Sequence, residues 1–263
     1  MRKFLIASLV AAFLSPVLAQ AQQKPIRALL VIGGCCHDYK NQKDVIAKGL
    51  AARANIEVTI AYDTDTGTKH KNPVYDSADW AKNFDVVIHD ECTADVTDKD
   101  VVETILKPHR DGLPGVVIHC GMHSYRSEGF PKATPWFEFT GVASTGHGAQ
   151  QPIEVNFVDK ESPIVKGMEN WTTINEELYN NSAGKLQDTA KPLALGKQGK
   201  SEFVVIWTNL YAGKAKVFST TLGHNTKTVE DPRYLDLITR GVLWSTGHLA
   251  DDGKPAAGYE ARK

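Results

Sequence analysis

Four short apolar runs, each leading into a turn rich in glycine or polar residues, constrain this chain more than any other feature. They are Arg27 to Gly33 (RALLVIG), Ile56 to Ala61, Phe84 to His89 (FDVVIH) and Gly115 to His119 (GVVIH). Runs this short, β-branched and nearly unbroken are what a strand needs when both faces of a parallel sheet are covered. Helical periodicity fills the gaps. Residues 43 to 53 place Val45, Ile46 and Leu50 on one face. Residues 98 to 110 do the same with Val101, Val102, Ile105 and Leu106, opened by Thr97 with Asp100 and closed by Gly112. Strand and helix alternating in this way predict a doubly wound α/β sheet, and the first four strands are expected in the order 2-1-3-4.

From Gln151 onward the pattern changes to strands separated by turn signals, at Pro152 to Val158, Pro192 to Leu195, Phe203 to Thr208 and Lys216 to Thr221. A last helix opens on Asp231-Pro232, buries Leu235, Ile238 and Val242, and stops at Gly247. No Pro/Gly/Ser-rich linker and no repeat interrupts residues 25 to 248, which are read as one domain. Residues 249 to 263 are small and polar, and are expected to form a flexible tail.

The first 21 residues read as a secretory signal peptide. Arg2 and Lys3 precede an apolar run from Phe4 to Leu14, a break at Pro16, and a small-residue site at Ala19-Gln20-Ala21. The mature chain would then start near Gln22, periplasmic or secreted, without a membrane span. Removing Arg2 and Lys3 leaves 28 positive against 31 negative charges, so no bulk attraction draws the protein to nucleic acid. Any partner must be recognised by a local site.

Ligands of open α/β sheets bind beyond the carboxyl ends of the strands. Those ends carry Gly33-Gly34-Cys35-Cys36-His37-Asp38, His89-Asp90-Glu91-Cys92, His119-Cys120-Gly121-Met122-His123-Ser124-Tyr125-Arg126, and Leu222-Gly223-His224-Asn225. Of the nine histidines, His37, His119, His123 and His224 therefore fall on one rim, and His147 is a further candidate. His70, His109 and His248 lie in loops or at helix ends and read as incidental, while His89 is expected to face the helix layer. Cys35, Cys36, Cys92 and Cys120 admit a disulfide, a Cys/His metal site, or a nucleophilic Cys120.

An ordered set of motifs resembles the trehalose-utilisation (ThuA-like) family. It comprises Gly33-Gly34 with His37-Asp38, Val117-Ile118-His119, Ser162-Pro163-Ile164 with Gly167, Glu176-Glu177-Leu178-Tyr179, Lys216-Val217-Phe218 with Thr221-Leu222-Gly223-His224, and Arg240-Gly241-Val242-Leu243-Trp244. The resemblance implies a flavodoxin-like three-layer sandwich similar to class I glutamine amidotransferases. It also implies a role in sugar metabolism by way of 3-oxo sugars. Where amidotransferases place a nucleophilic cysteine, this chain has His119, with Cys120 one residue late. Glutamine hydrolysis is therefore not expected.

The resulting expectation is a His-based site acting on a small carbohydrate. His119, His37, Glu177 and Asp90 are the catalytic candidates. Asp38, His123, Tyr125, Arg126, His147, Tyr179 and His224 are the candidates for holding substrate. A divalent metal is an optional cofactor, with His37, His119 and His224 as ligands. The alternatives are a sugar-binding module without catalysis, stacking pyranose rings on Tyr125, Trp136, Phe137, Tyr179 or Trp207, and a hydrolase with Cys120 as nucleophile.

Overall fold

A computed structural model describes residues 23–181 and 186–262; the expected signal peptide lies outside the described residues. Nine strands form one mixed sheet in the order β2-β1-β3-β4-β9-β8-β7-β5-β6. The strands β1 (Ile26–Gly34), β2 (Ile56–Tyr62), β3 (Val86–Cys92), β4 (Gly115–Ile118) and β9 (Ala215–Thr220) pair in parallel. The remaining strands are β5 (Gln151–Phe157), β6 (Trp171–Glu176), β7 (Ala190–Gln198) and β8 (Ser201–Tyr211). They extend the sheet antiparallel from β9. The expected 2-1-3-4 order is present, and β9 joins it from the far end of the chain.

Alternation along the parallel strands divides the core. On β1, Ile26, Ala28, Leu30 and Ile32 point to one face, and Leu29 and Val31 to the other. The first face is covered by α1 (Tyr39–Ala51) and α5 (Pro232–Ser245), through Ile46, Leu50, Leu237, Ile238 and Val242. The second is covered by α2 (Lys99–Arg110) and α3 (Pro135–Thr140), through Val102, Ile105, Leu106, Trp136 and Phe139. This is the three-layer arrangement expected of runs that are apolar on both sides. A short helix, α4 (Thr226–Val229), follows the turn after β9.

Two elements differ from expectation. β3 does not stop at His89 but continues to Cys92, so His89 and Glu91 face α2 and α3 while Asp90 and Cys92 face the opposite layer. The C-terminal segment read as a flexible tail is bound to the start of β2. Asn55 donates its backbone N–H to Tyr259 O, Ala54 bridges to Glu260, and Arg262 donates to the Asn55 side chain. Tyr259 packs on the core and stacks on His248 at 3.8 Å. Composition misleads here because backbone hydrogen bonds, available to any residue, hold the segment.

Candidate active site and metal centre

The rim at the carboxyl ends of the parallel strands gathers its side chains by tight turns. β1 ends in Gly34 at φ 88°, where a Cβ would lie 2.4 Å from the Cys92 carbonyl oxygen. Only glycine lets the chain pass this close to β3 and turn His37 inward. β4 ends in a 3-10 turn (His119–His123) whose first residue, His119, has φ 44°. β9 ends near Gly223 at φ 122°, where a Cβ would meet the Tyr234 hydroxyl at 2.7 Å.

Four side chains from four elements converge there. Nε2 of His37 lies 2.9 Å from Nε2 of His119. Glu177, just after β6, places Oε2 3.5 Å from His119 Nε2 and Oε1 3.2 Å from His224 Nδ1. One ligand atom from each of His37, His119, Glu177 and His224 lies within 4.8 Å of all the others. The group sits beneath a cleft lined by Cys36, His37, Asp38, His224, Asn225 and Lys227.

The supporting contacts set the tautomers. His119 Nδ1 is 2.7 Å from the Thr221 carbonyl oxygen, and His37 Nδ1 is 3.1 Å from the Cys35 carbonyl oxygen. A carbonyl accepts only, so Nδ1 of His119 carries the proton when its ring is neutral and its Nε2 lone pair points inward; His37 Nδ1 also has the Tyr39 hydroxyl at 3.1 Å, and its Nε2 faces that lone pair. Burial, with the charges of His119 and His224, pushes His37 down to about 2, so its ring stays neutral. His224 Nδ1 is enclosed and within ion-pair distance of Glu177, yet lacks hydrogen-bond geometry to any partner among the described residues. Burial raises the Glu177 carboxyl, but the neighbouring His119 and His224 outweigh it and hold the group well below the usual carboxylate range.

Convergent imidazole nitrogens, one of them orphaned, and an ionised carboxylate are a donor set that suits a first-row divalent cation. Three imidazoles and one carboxylate match the borderline ligand character of zinc and its neighbours. Backbone carbonyls behind His37 and His119 supply the outer contacts that metal-binding histidines use.

The other expected residues divide around this centre. Tyr179 is buried, with its hydroxyl 3.3 Å from His119 Nε2 and its ring stacked on His123 at 4.0 Å. Burial, with Glu177, Glu176 and Asp90, raises that hydroxyl well above the usual tyrosine range. His123 bonds Ser144 Oγ at 2.8 Å and stands behind Tyr179 rather than in the cleft. His147 is the most exposed member, with Nε2 3.5 Å from Glu177 Oε2. Its loop is held by Asn180, whose Oδ1 accepts from the N–H groups of Thr145 and Gly146. Asp38 lines the cleft and accepts from Asn41 and Thr226. Arg126 lies over Phe130, with Nε buried and without a hydrogen-bond partner among the described residues.

Two expected residues do not join. Tyr125 is fully buried and donates to Glu91 Oε1 at 2.8 Å on the opposite side of β3. Asp90 is buried on the side facing α1 and α5, outside the four-residue group, and burial together with Glu91 raises its carboxyl well above the usual range. The aromatic platform also falls away, since Tyr125, Trp136, Phe137, Tyr179 and Trp207 are all 2% exposed or less. Cys120 is bonded to Cys92, and Cys35 to Cys36, so Cys120 is not a free nucleophile in this state. His70 pairs with Asp63, just past β2, outside the four-residue group.

Sequence reasoning passed over Glu176. Its buried carboxylate accepts from the backbone N–H groups of Gly223, His224 and Asn225 at 3.3, 3.1 and 3.2 Å. It thereby ties the end of β6 to the loop that carries His224. Nothing in the sequence of β6, WTTINE, marks Glu176 as buried, since Ile174 is exposed and Glu176 is not.

The sequence profile of the trehalose-utilisation family, ThuA, matches residues 27–245, the span that builds both the sheet and this centre. The chain belongs to the ThuA family. Two solved ThuA-like proteins share its fold. One, from Parabacteroides merdae, is 18% identical with a TM-score of 0.65, covering 89% of this chain and 98% of its own. The other, from Bacteroides uniformis, is 15% identical with a TM-score of 0.62, covering 87% and 96%. A β-galactosidase from Rahnella sp. R3 is 13% identical with a TM-score of 0.54; 83% of this chain aligns with 31% of that one. No curated protein matches the chain. ThuA membership places the protein among those of carbohydrate utilisation.

Proposed function

We propose that this ThuA-family protein is an exported enzyme that acts on 3-oxo glycosides or related sugars at a metal-assisted histidine site. The observation that carries the reading is the convergence of His37, His119, His224 and Glu177 within ligand distance of one another, with His224 Nδ1 unmatched among the described residues. A purely structural cluster would be expected to satisfy that nitrogen.

His37, His119, His224 and Glu177 would hold a divalent ion. The chemistry such an ion supplies is polarisation of a sugar oxygen, which makes the adjacent C–H more acidic. The remaining residues handle protons. His147, at the exposed edge and beside Glu177, is the proton acceptor. Tyr179, kept protonated by burial, is a donor whose hydroxyl lies at the inner wall. Asp38 and Lys227 line the cleft and offer an acceptor and a donor to sugar hydroxyls. Two disulfides agree with an oxidising compartment and so support export. Burial of the aromatics favours turnover over a module that stacks sugar rings.

Metal analysis of the purified protein, followed by chelation and assay on 3-oxo glycosides, tests this reading. About one divalent ion per chain is expected, with turnover lost on chelation and restored by the ion. Neither ion retention nor sugar consumption under any metal would overturn it.

A further inference from the structure

The four cysteines lie outside the metal-assisted reading, and their placement supports a separate chemistry. Cys35 and Cys36 follow β1, Cys92 ends β3, and Cys120 follows β4, so three neighbouring strands deliver four sulfurs to one spot. Gly34 is in register with Cys92, which sets the next residue, Cys35, beside it. Cys35 bonds Cys36, Cys92 bonds Cys120, and the two disulfides touch, with Cys35 Sγ 3.6 Å from Cys92 Sγ. The sulfurs thus form an unbroken line: Cys36, Cys35, Cys92, Cys120. Exposure falls along it. Cys36 is exposed and lines the cleft, Cys35 is half-buried, and Cys92 and Cys120 are 4% and 5% exposed. At the inner end, Cys92 and Cys120 lie within 4.8 Å of a ring nitrogen of His37.

We propose that this line is a thiol–disulfide relay, which takes reducing equivalents from a dithiol at exposed Cys36 and delivers a thiol at buried Cys120 beside His37. A thiolate of the dithiol attacks Cys36 Sγ, and Cys35 leaves as a thiolate. The second thiol of the dithiol resolves the mixed disulfide and frees Cys36. Cys35 then attacks Cys92 Sγ, forming the Cys35–Cys92 bond and expelling Cys120. One dithiol is oxidised to a disulfide by two electrons, and its two protons end on Cys36 and Cys120. Two protein disulfides become one disulfide and two thiols. Exchange of this kind needs only access for the first thiolate and contact for the second, and both are present.

The test treats the intact protein with one equivalent of dithiothreitol, traps thiols with N-ethylmaleimide in denaturant, and maps the peptides. Label is expected on Cys36 and Cys120, with a Cys35–Cys92 linked peptide and at least tenfold less label on Cys92. Label on Cys35 and Cys36 with Cys92–Cys120 intact would overturn the relay, as would no labelling at all. A Cys36→Ser variant tests the inner step without reductant. It should carry its free thiol on Cys120; a free thiol on Cys35 instead would count against exchange.

Discussion

The molecule holds two histidine pairs with nearly the same Nε2–Nε2 separation, one at the rim of the sheet and one beneath α2 and α3, and only one of them makes a candidate site. His37 and His119 meet Nε2 to Nε2 at 2.9 Å, and His89 and His109 meet the same way at 3.0 Å. In each pair a backbone carbonyl sits on an Nδ1, Thr221 for His119 and Leu113 for His109. Each pair has a glutamate close by. Yet Glu91 accepts from the hydroxyls of Tyr75 and Tyr125 at 2.7 and 2.8 Å, and Trp136 and Phe139 close over His89. Glu177 instead faces three histidines, one with an unmatched nitrogen, beneath an open cleft. A histidine pair is thus sealed where aromatic rings close over it, and reachable for chemistry where a cleft opens above it.

The largest effect that would separate the two clusters is on turnover. His119→Ala and Glu177→Gln should each lower kcat by about a thousandfold or more and deplete bound metal, on the order of 4 kcal/mol of barrier. His109→Leu should leave metal content unchanged. Metal analysis beside steady-state kinetics checks both, and metal loss in His109→Leu would erase the distinction.

Stability should respond in the opposite order. Glu91→Leu strands His89 and two tyrosine hydroxyls in the core, and should cost about 3 kcal/mol in urea unfolding. A penalty near zero would show that the closed cluster is dispensable.

Acid should expose the closed cluster through His109. Burial, with the charge of His89, lowers this ring to about 3, against an unfolded value of 6.5. The unfolded chain therefore binds the extra proton first as pH falls, so His109 contributes stability above pH 6.5 and loses it between about 6.5 and 3. Urea midpoints across that window should fall less steeply in His109→Leu, by up to about 1.4 kcal/mol per pH unit. An unchanged slope would mean that the ring is not held neutral.

The smallest effect falls on Glu176. Glu176→Gln keeps the shape but removes the charge from three backbone donors, and should cost about 1 to 2 kcal/mol. It should weaken metal retention through His224 while leaving the closed cluster intact, as read by metal titration.

How far these features can be read from sequence depends on the range of the interaction. Strand ends are local, so His37, His119 and His224 follow from apolar runs and glycines alone. The sealed position of His89 follows from strand alternation. His109, read as incidental, is a hydrogen-bonded core residue, set on the apolar face of α2 by its spacing from Val102, Ile105 and Leu106. Glu177 was singled out only through the family motif, since nothing near it tells that β6, at the far edge of the sheet, ends beside β9. Glu176, Tyr125 and the C-terminal segment depend on partners tens to hundreds of residues away. Periodicity does not report such partners.

The anchoring of the β9 loop by Glu176 has a consequence for when this protein becomes competent. Its centre draws on residues 37, 119, 177 and 224, so a chain emerging in order holds two of the four donors before β6, three after it, and the fourth only once β9 is past. The three N–H groups at residues 223 to 225 receive their carboxylate only once β6 and β9 have both found their places. The centre is therefore a checkpoint on maturity: a partly folded molecule can own a sheet and a core but cannot assemble the ligand set.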